Sequence, residues 1–158
     1  MSADPAGTVP LATRSLWTRA TSAIVAVGGL TLLGVSRWLE PAAAGHGTHL
    51  QLGLRPCTFL EWTGWPCPMC GATTTFSLMA DFQWVAGLIN QPFAALLFVC
   101  VVVITGFSIV EVLRPHGGWT WVLRHVKPVE GRLAMGLLVL MAASWLYKIT
   151  VMPIVLTG

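Results

Sequence analysis

Three long apolar stretches constrain the fold of this 158-residue chain more than any other feature. They cover residues 20–36, 93–110 and about 133–155, and each approaches the roughly 20 apolar residues that a helix needs to cross a bilayer core. Only 9% of the residues are charged, whereas a soluble domain carries about a quarter. The sequence therefore predicts an all-α, polytopic membrane protein with three transmembrane helices.

Aromatic and basic residues flank these stretches, as they do at the two surfaces of a bilayer. Trp17 and Arg19 precede the first stretch, and Lys148 lies near the end of the third, where its side chain can reach the headgroups. Residues 42–44 also resemble a signal-peptide cleavage site, but Glu40 interrupts the approach to it. We expect a flexible tail of residues 1–16 and one membrane domain of residues 17–158, with spans at about 19–38, 92–113 and 133–155.

The distribution of lysine and arginine predicts the orientation of the chain. Six basic residues precede the first span or lie between the second and third: Arg14, Arg19, Arg114, Arg124, Lys127 and Arg132. Only Arg37 and Arg55 lie between the first and second spans. Because cytoplasmic loops carry an excess of lysine and arginine, we expect a cytoplasmic N-terminus and an exoplasmic segment of residues 39–91.

The segment of residues 71–89 is also apolar, but it does not fit a fourth span. A span there would place Asp81 in the middle of the membrane, at a cost of several kcal/mol. It would also move the basic loop that follows the second span to the outside. We therefore expect an interfacial or re-entrant helix over residues 71–89, preceded by a cysteine loop of residues 55–71.

Three of the four cysteines lie in this cysteine loop, at Cys57, Cys67 and Cys70. Two thiols separated by two residues can bind one metal ion or form a small disulfide. In the first alternative, Cys57 pairs with Cys67 or Cys70, leaving one thiol over. In the second, three thiolates bind a metal, for which zinc is the candidate, with a fourth ligand from His46, His49 or Asp81.

A third alternative is thiol redox chemistry at the Cys67–Cys70 pair. Cys-x-x-Cys is the reactive unit of thiol oxidoreductases, although the βαβ context that supports this function is missing here. A helix beginning directly after Cys70 would favour its thiolate and make it more nucleophilic. Cys100 lies within the second span and is assigned no role.

From Pro56 to Leu97 the chain resembles a family of mainly bacterial membrane proteins, the domain of unknown function 2752. The family pattern is a Cys-Pro pair, Thr-Gly, Cys-Pro-x-Cys-Gly-x-Thr-Arg, Gly-Asp, and Asn-Pro opening a hydrophobic helix. The matching residues are Cys57, Thr63, Gly64, Cys67, Pro68, Cys70, Gly71, Thr73, Asp81 and Pro92. The chain departs from the pattern at Thr58, Thr74, Ala80 and Gln91.

The resemblance implies a bacterial inner-membrane protein, and it marks Gly71, Thr73, Asp81 and Pro92 as motif residues besides the cysteines. It implies architecture rather than activity. Because Thr74 stands where the family has arginine, the resemblance does not support a mechanism that needs a fixed cation beside Cys70.

No serine nucleophile motif, phosphate-binding loop, HExxH sequence or paired carboxylates are present. The net charge of +3 is too small to indicate nucleic-acid binding. We therefore expect a non-enzymatic accessory or scaffold protein whose exoplasmic cysteines are locked by a disulfide or a metal. Its partners are expected to be the lipid bilayer and other membrane proteins or further copies of itself. The alternatives are a membrane thiol oxidoreductase, a metal-handling factor, or a subunit of a larger transporter.

Overall fold

The computed structural model describes residues 11–114 and 118–157, with side chains for residues 16–114 and 118–150. These residues form helices and turns and contain no strand. The helices are α1 (Leu11–Trp38), α2 (Thr58–Thr63), α3 (Ala72–Ala80), α4 (Trp84–Asn90), α5 (Pro92–Leu113), α6 (Gly118–Val126) and α7 (Glu130–Thr157). Short 3₁₀ helices cover Thr48–Leu52 and Lys127–Val129.

Three of these segments are long and apolar enough to cross a membrane: Leu16–Trp38, Pro92–Leu113 and Gly118–Thr150. The prediction of an all-helical chain with three candidate spans is therefore confirmed for the described residues. The predicted flexible tail of residues 1–16 can be compared with the structure only from Leu11 onward, because residues 1–10 lie outside the described part. Residues 11–16 belong to α1 rather than to a tail, since the sequence contains no glycine or proline between Leu11 and Val27 that would stop the helix.

The predicted continuous helix over residues 71–89 is instead two short helices. Helix α3 ends at Ala80, and Phe82 adopts a left-handed conformation with φ of 60°, which ends an α-helix. Asp81, beside this turn, pairs with Arg37 at the end of α1, with 2.8 Å between Oδ1 and Nη1. Helix α4 then packs back on α3. A Cβ atom at Gly87 would lie only 2.9 Å from the Met79 side chain.

Helix α3 is held against α1 and α5 by a small apolar cluster. Met79, Ala95 and Phe98 form its buried centre, and Leu33 and Phe76 pack against it. The rings of Phe76 and Phe98 meet edge to face, with centroids 5.4 Å apart. Because α3 follows Cys70 directly, this packing fixes the end of the cysteine loop against the first turns of α5.

Candidate functional site

The cysteine loop and the segment before it enclose a cavity of about 320 Å³, here called the loop cavity. Its wall includes Cys57, Cys67 and Cys70, together with His46 and His49. The structure thus brings the three loop cysteines and two of the three predicted fourth ligands to one place. Asp81 is not on this wall, since it pairs with Arg37 on α1. Cys100 is an exposed residue of α5.

Cys57 and Cys67 lie near each other on the cavity wall, and each thiol alters the acidity of the other. All four cysteines are free thiols in the structure. Cys57 precedes the first residue of α2, so that its sulfur lies near the N–H groups of Phe59 and Leu60 without forming a capping hydrogen bond. The sequence offered Cys57 with Cys67 or Cys70 for a disulfide and Cys67 with Cys70 for redox chemistry, and the fold places Cys57 near Cys67.

The three thiols differ in acidity because their surroundings differ. Burial raises the pKa of the Cys57 thiol, but the nearby Leu60 N–H group and Cys67 thiol outweigh this effect, so its pKa lies below the ordinary value. Burial and the nearby Cys57 thiol raise the pKa of Cys67. Burial, reinforced by the neighbouring thiols, raises the pKa of Cys70 to about 11. The prediction that a helix start favours the Cys70 thiolate is therefore wrong, because desolvation dominates at this position.

The two histidines of the cavity wall, His46 and His49, differ in their hydrogen bonding. Nε2 of His49 makes a 3.2 Å hydrogen bond to the Arg55 carbonyl oxygen. Nε2 of His46 is buried without a hydrogen-bond partner. Burial, followed by the charge of Lys148, lowers the pKa of His46, so its imidazole is neutral at neutral pH. His46 therefore presents an unused donor atom at the cavity.

The proline carbonyl groups beside Cys67 are bound by two later helices. Gln91 is fully buried, and its Nε2 donates to the Pro68 carbonyl oxygen over 3.0 Å. Its Oε1 accepts from the Ala94 N–H, which caps the start of α5. Nε1 of Trp145 in α7 donates to the Pro66 carbonyl oxygen over 2.7 Å. Sequence reasoning treated Gln91 only as a departure from a family pattern and missed this anchoring role.

Lys148 lies inside the protein rather than reaching the headgroups, and this corrects the sequence-based expectation. Its side chain is only 5% exposed. Its Nζ donates to Oδ1 of Asn90 over 2.9 Å, to the Asn90 carbonyl oxygen over 3.2 Å and to the Gly45 carbonyl oxygen over 3.3 Å. Asn90 in turn donates from Nδ2 to the Gly71 carbonyl oxygen and to Thr75. This network ties α7 to the end of the cysteine loop, next to Cys70.

The remaining motif residues have separate positions. Gly71 has φ of +87°, and a Cβ atom there would lie 2.5 Å from the Gly45 carbonyl oxygen. Thr73 is on the wall of the loop cavity. Pro92 is the first residue of α5, a position where its missing N–H costs nothing.

Within the described residues, no three histidine, cysteine, aspartate or glutamate side chains are grouped closely enough to hold a metal ion as they stand. The thiols and imidazoles share a cavity without converging on one point. The arrangement therefore offers two neighbouring thiols, Cys57 and Cys67, and further donors around the same space.

A family model described as "Protein of unknown function (DUF2752)" matches residues 57–105. The predicted resemblance to this family is confirmed for that segment. The match begins at Cys57 and includes all three loop cysteines, α3, α4 and the first part of α5. No curated protein and no solved structure matches the chain.

Proposed function

We propose that this chain is a non-enzymatic accessory or scaffold protein of the bacterial inner membrane, in which bonds among Cys57, Cys67 and Cys70 lock the cysteine loop over the helices. The observation that carries the proposal is the position of all three loop cysteines on the wall of one cavity. The bias of lysine and arginine supports an exoplasmic loop, where disulfides persist.

The part of the cysteine loop that contains α2 has little other means of staying in place. Helix α2 has six residues, none of them buried, and Trp62 within it is 85% exposed. A helix this short gains almost nothing from its own hydrogen bonds, so packing or a covalent link must hold it. A bond between Cys57 and Cys67 would stabilise the loop by roughly 2–3 kcal/mol.

The proposed lock, meaning the bonds among Cys57, Cys67 and Cys70, is tested by counting free thiols in the native protein. In a Cys100→Ser background every reactive thiol belongs to the cysteine loop. After purification in detergent under inert gas, we expect at least two of the three thiols to resist alkylation until a chelator or a reductant is added. Proteolysis within the loop should accelerate after the same treatment. Three freely reactive thiols in metal-free protein, with unchanged proteolysis, would remove the locking role.

A second candidate, a membrane thiol oxidoreductase, is favoured by the proximity of Cys57 and Cys67 on the cavity wall and by the lowered pKa of the Cys57 thiol. In that reaction the Cys57 thiolate attacks a disulfide of an exoplasmic protein and forms a mixed disulfide. Cys67 then attacks Cys57, releases the substrate as a dithiol and leaves a Cys57–Cys67 disulfide. A Cys67→Ser variant would trap the mixed disulfide in membranes. A variant that traps no partner protein supports the lock instead.

A further inference from the structure

We propose that the loop cavity is a zinc site formed by Cys57, Cys67, Cys70 and His46, with the ammonium group of Lys148 as its charge partner. The inference rests on the proposed function, because it specifies what the lock is. Three thiolates and one imidazole are a closed ligand set for structural zinc. All four residues lie on the wall of the same cavity.

The structure distinguishes between the three residues that the sequence offered as fourth ligand. Asp81 is paired with Arg37, and Nε2 of His49 is bonded to a carbonyl oxygen. Nε2 of His46 is buried and has no hydrogen-bond partner. Leaving a buried polar atom without a partner is unfavourable. A metal ion in the cavity would give this nitrogen its missing partner.

The buried positive charge of Lys148 also favours an anionic group beside it. The buried ammonium of Lys148 contacts only neutral oxygen atoms within the described residues, although a buried charge normally has a counter-charge. Nζ of Lys148 donates to the carbonyl oxygen of Gly45, which precedes His46, and lies 3.2 Å from where a Cβ atom would be at Gly71, which follows Cys70. Zinc bound by three thiolates and a neutral imidazole carries one negative charge. That charge would balance the ammonium group.

The ligand side chains do not yet converge on one point, so metal binding requires rotation of the cysteine side chains into the cavity. The cavity of about 320 Å³ leaves room for this movement. Because α2 buries none of its residues, Cys57 can approach the other thiols without breaking a packed core.

Cobalt and zinc titrations of metal-free Cys100→Ser protein test the site. We expect one Co²⁺ ion per chain, with a thiolate charge-transfer band and the strong visible bands of tetrahedral cobalt, displaced by Zn²⁺. Cys70→Ser and His46→Gln should weaken zinc binding by more than about tenfold, and Lys148→Met by about 10–100-fold. His49→Gln is the matched control and should bind as the parent protein does.

Zinc binding that is equally weak in His46→Gln and His49→Gln would overturn the assignment of the fourth ligand. X-ray absorption of the unsubstituted zinc-loaded protein provides a readout that does not depend on variants. Three sulfur ligands and one nitrogen ligand support the site, and any other ligand set contradicts it. Thiols that are protected by a disulfide and bind no metal after reduction would remove the zinc site and leave the lock intact. Free thiols without metal would remove both.

Discussion

Replacing Gly71 with alanine is expected to destabilise the protein by about 3 kcal/mol, because the change combines backbone strain with a collision. Gly71 has φ of +87°, a conformation that residues with a Cβ atom rarely adopt. The added Cβ would lie 2.5 Å from the Gly45 carbonyl oxygen and 3.2 Å from Nζ of Lys148. The substitution would therefore push apart the end of the cysteine loop and the Lys148 network.

Gly64→Ala is the matched control for this variant. Gly64 has a similar φ of +71°, but a Cβ atom there meets no atom within 4 Å. We expect this control to lose only about 1 kcal/mol, from backbone strain alone. Denaturant unfolding in detergent measures both variants. Equal losses would show that the close approach of Gly71 to Gly45 does not contribute to stability.

Replacing Gly29 with leucine is expected to separate helices α1 and α5, at a cost of about 2–3 kcal/mol or more. A Cβ atom at Gly29 would overlap Oγ1 of Thr105 on α5. Small residues allow helix backbones to approach closely where lipid provides no hydrophobic driving force between helices. The same substitution at Gly28 should be tolerated, since a Cβ atom there has open space around it.

Unfolding of both glycine variants in mixed micelles compares the two positions directly. The neighbouring glycines have the same intrinsic effect on helix propensity, so the difference between the variants reports helix packing alone. If Gly28→Leu were as unstable as Gly29→Leu, the close contact between α1 and α5 would be contradicted.

The candidate spans and the start of α5 could be predicted because their signals are local in the sequence. A membrane span needs only a certain length and apolarity, and Pro92 marks the first position of its helix. The turn at Phe82 was not predictable, since no glycine or proline lies at this position in the sequence. It depends on α4 packing back on α3 through Gly87 and Met79.

The sequence singled out residues of the candidate site by type, but it could not give their arrangement. The three cysteines and the candidate ligands His46 and His49 lie on the wall of one cavity, whereas the candidate Asp81 does not. Which thiols lie together was left open, because the sequence offered Cys57 with Cys67 or Cys70 as well as the Cys67–Cys70 pair of the Cys-x-x-Cys spacing. The anchoring by Lys148 was missed, since one of its partners, Gly45, lies 103 residues earlier in the chain.

Mild oxidation of the reduced, metal-free Cys100→Ser protein tests most directly whether the fold holds these sulfurs together. Cleavage after Trp62 separates Cys57 from Cys67, and cleavage after Met69 separates Cys67 from Cys70, so mass spectrometry of the peptides identifies each linkage. Because Cys57 lies near Cys67 and Cys70 is more deeply buried, we expect an intramolecular Cys57–Cys67 disulfide with Cys70 left as a thiol. A product in which Cys57 remains free while Cys67 and Cys70 are joined would contradict the arrangement.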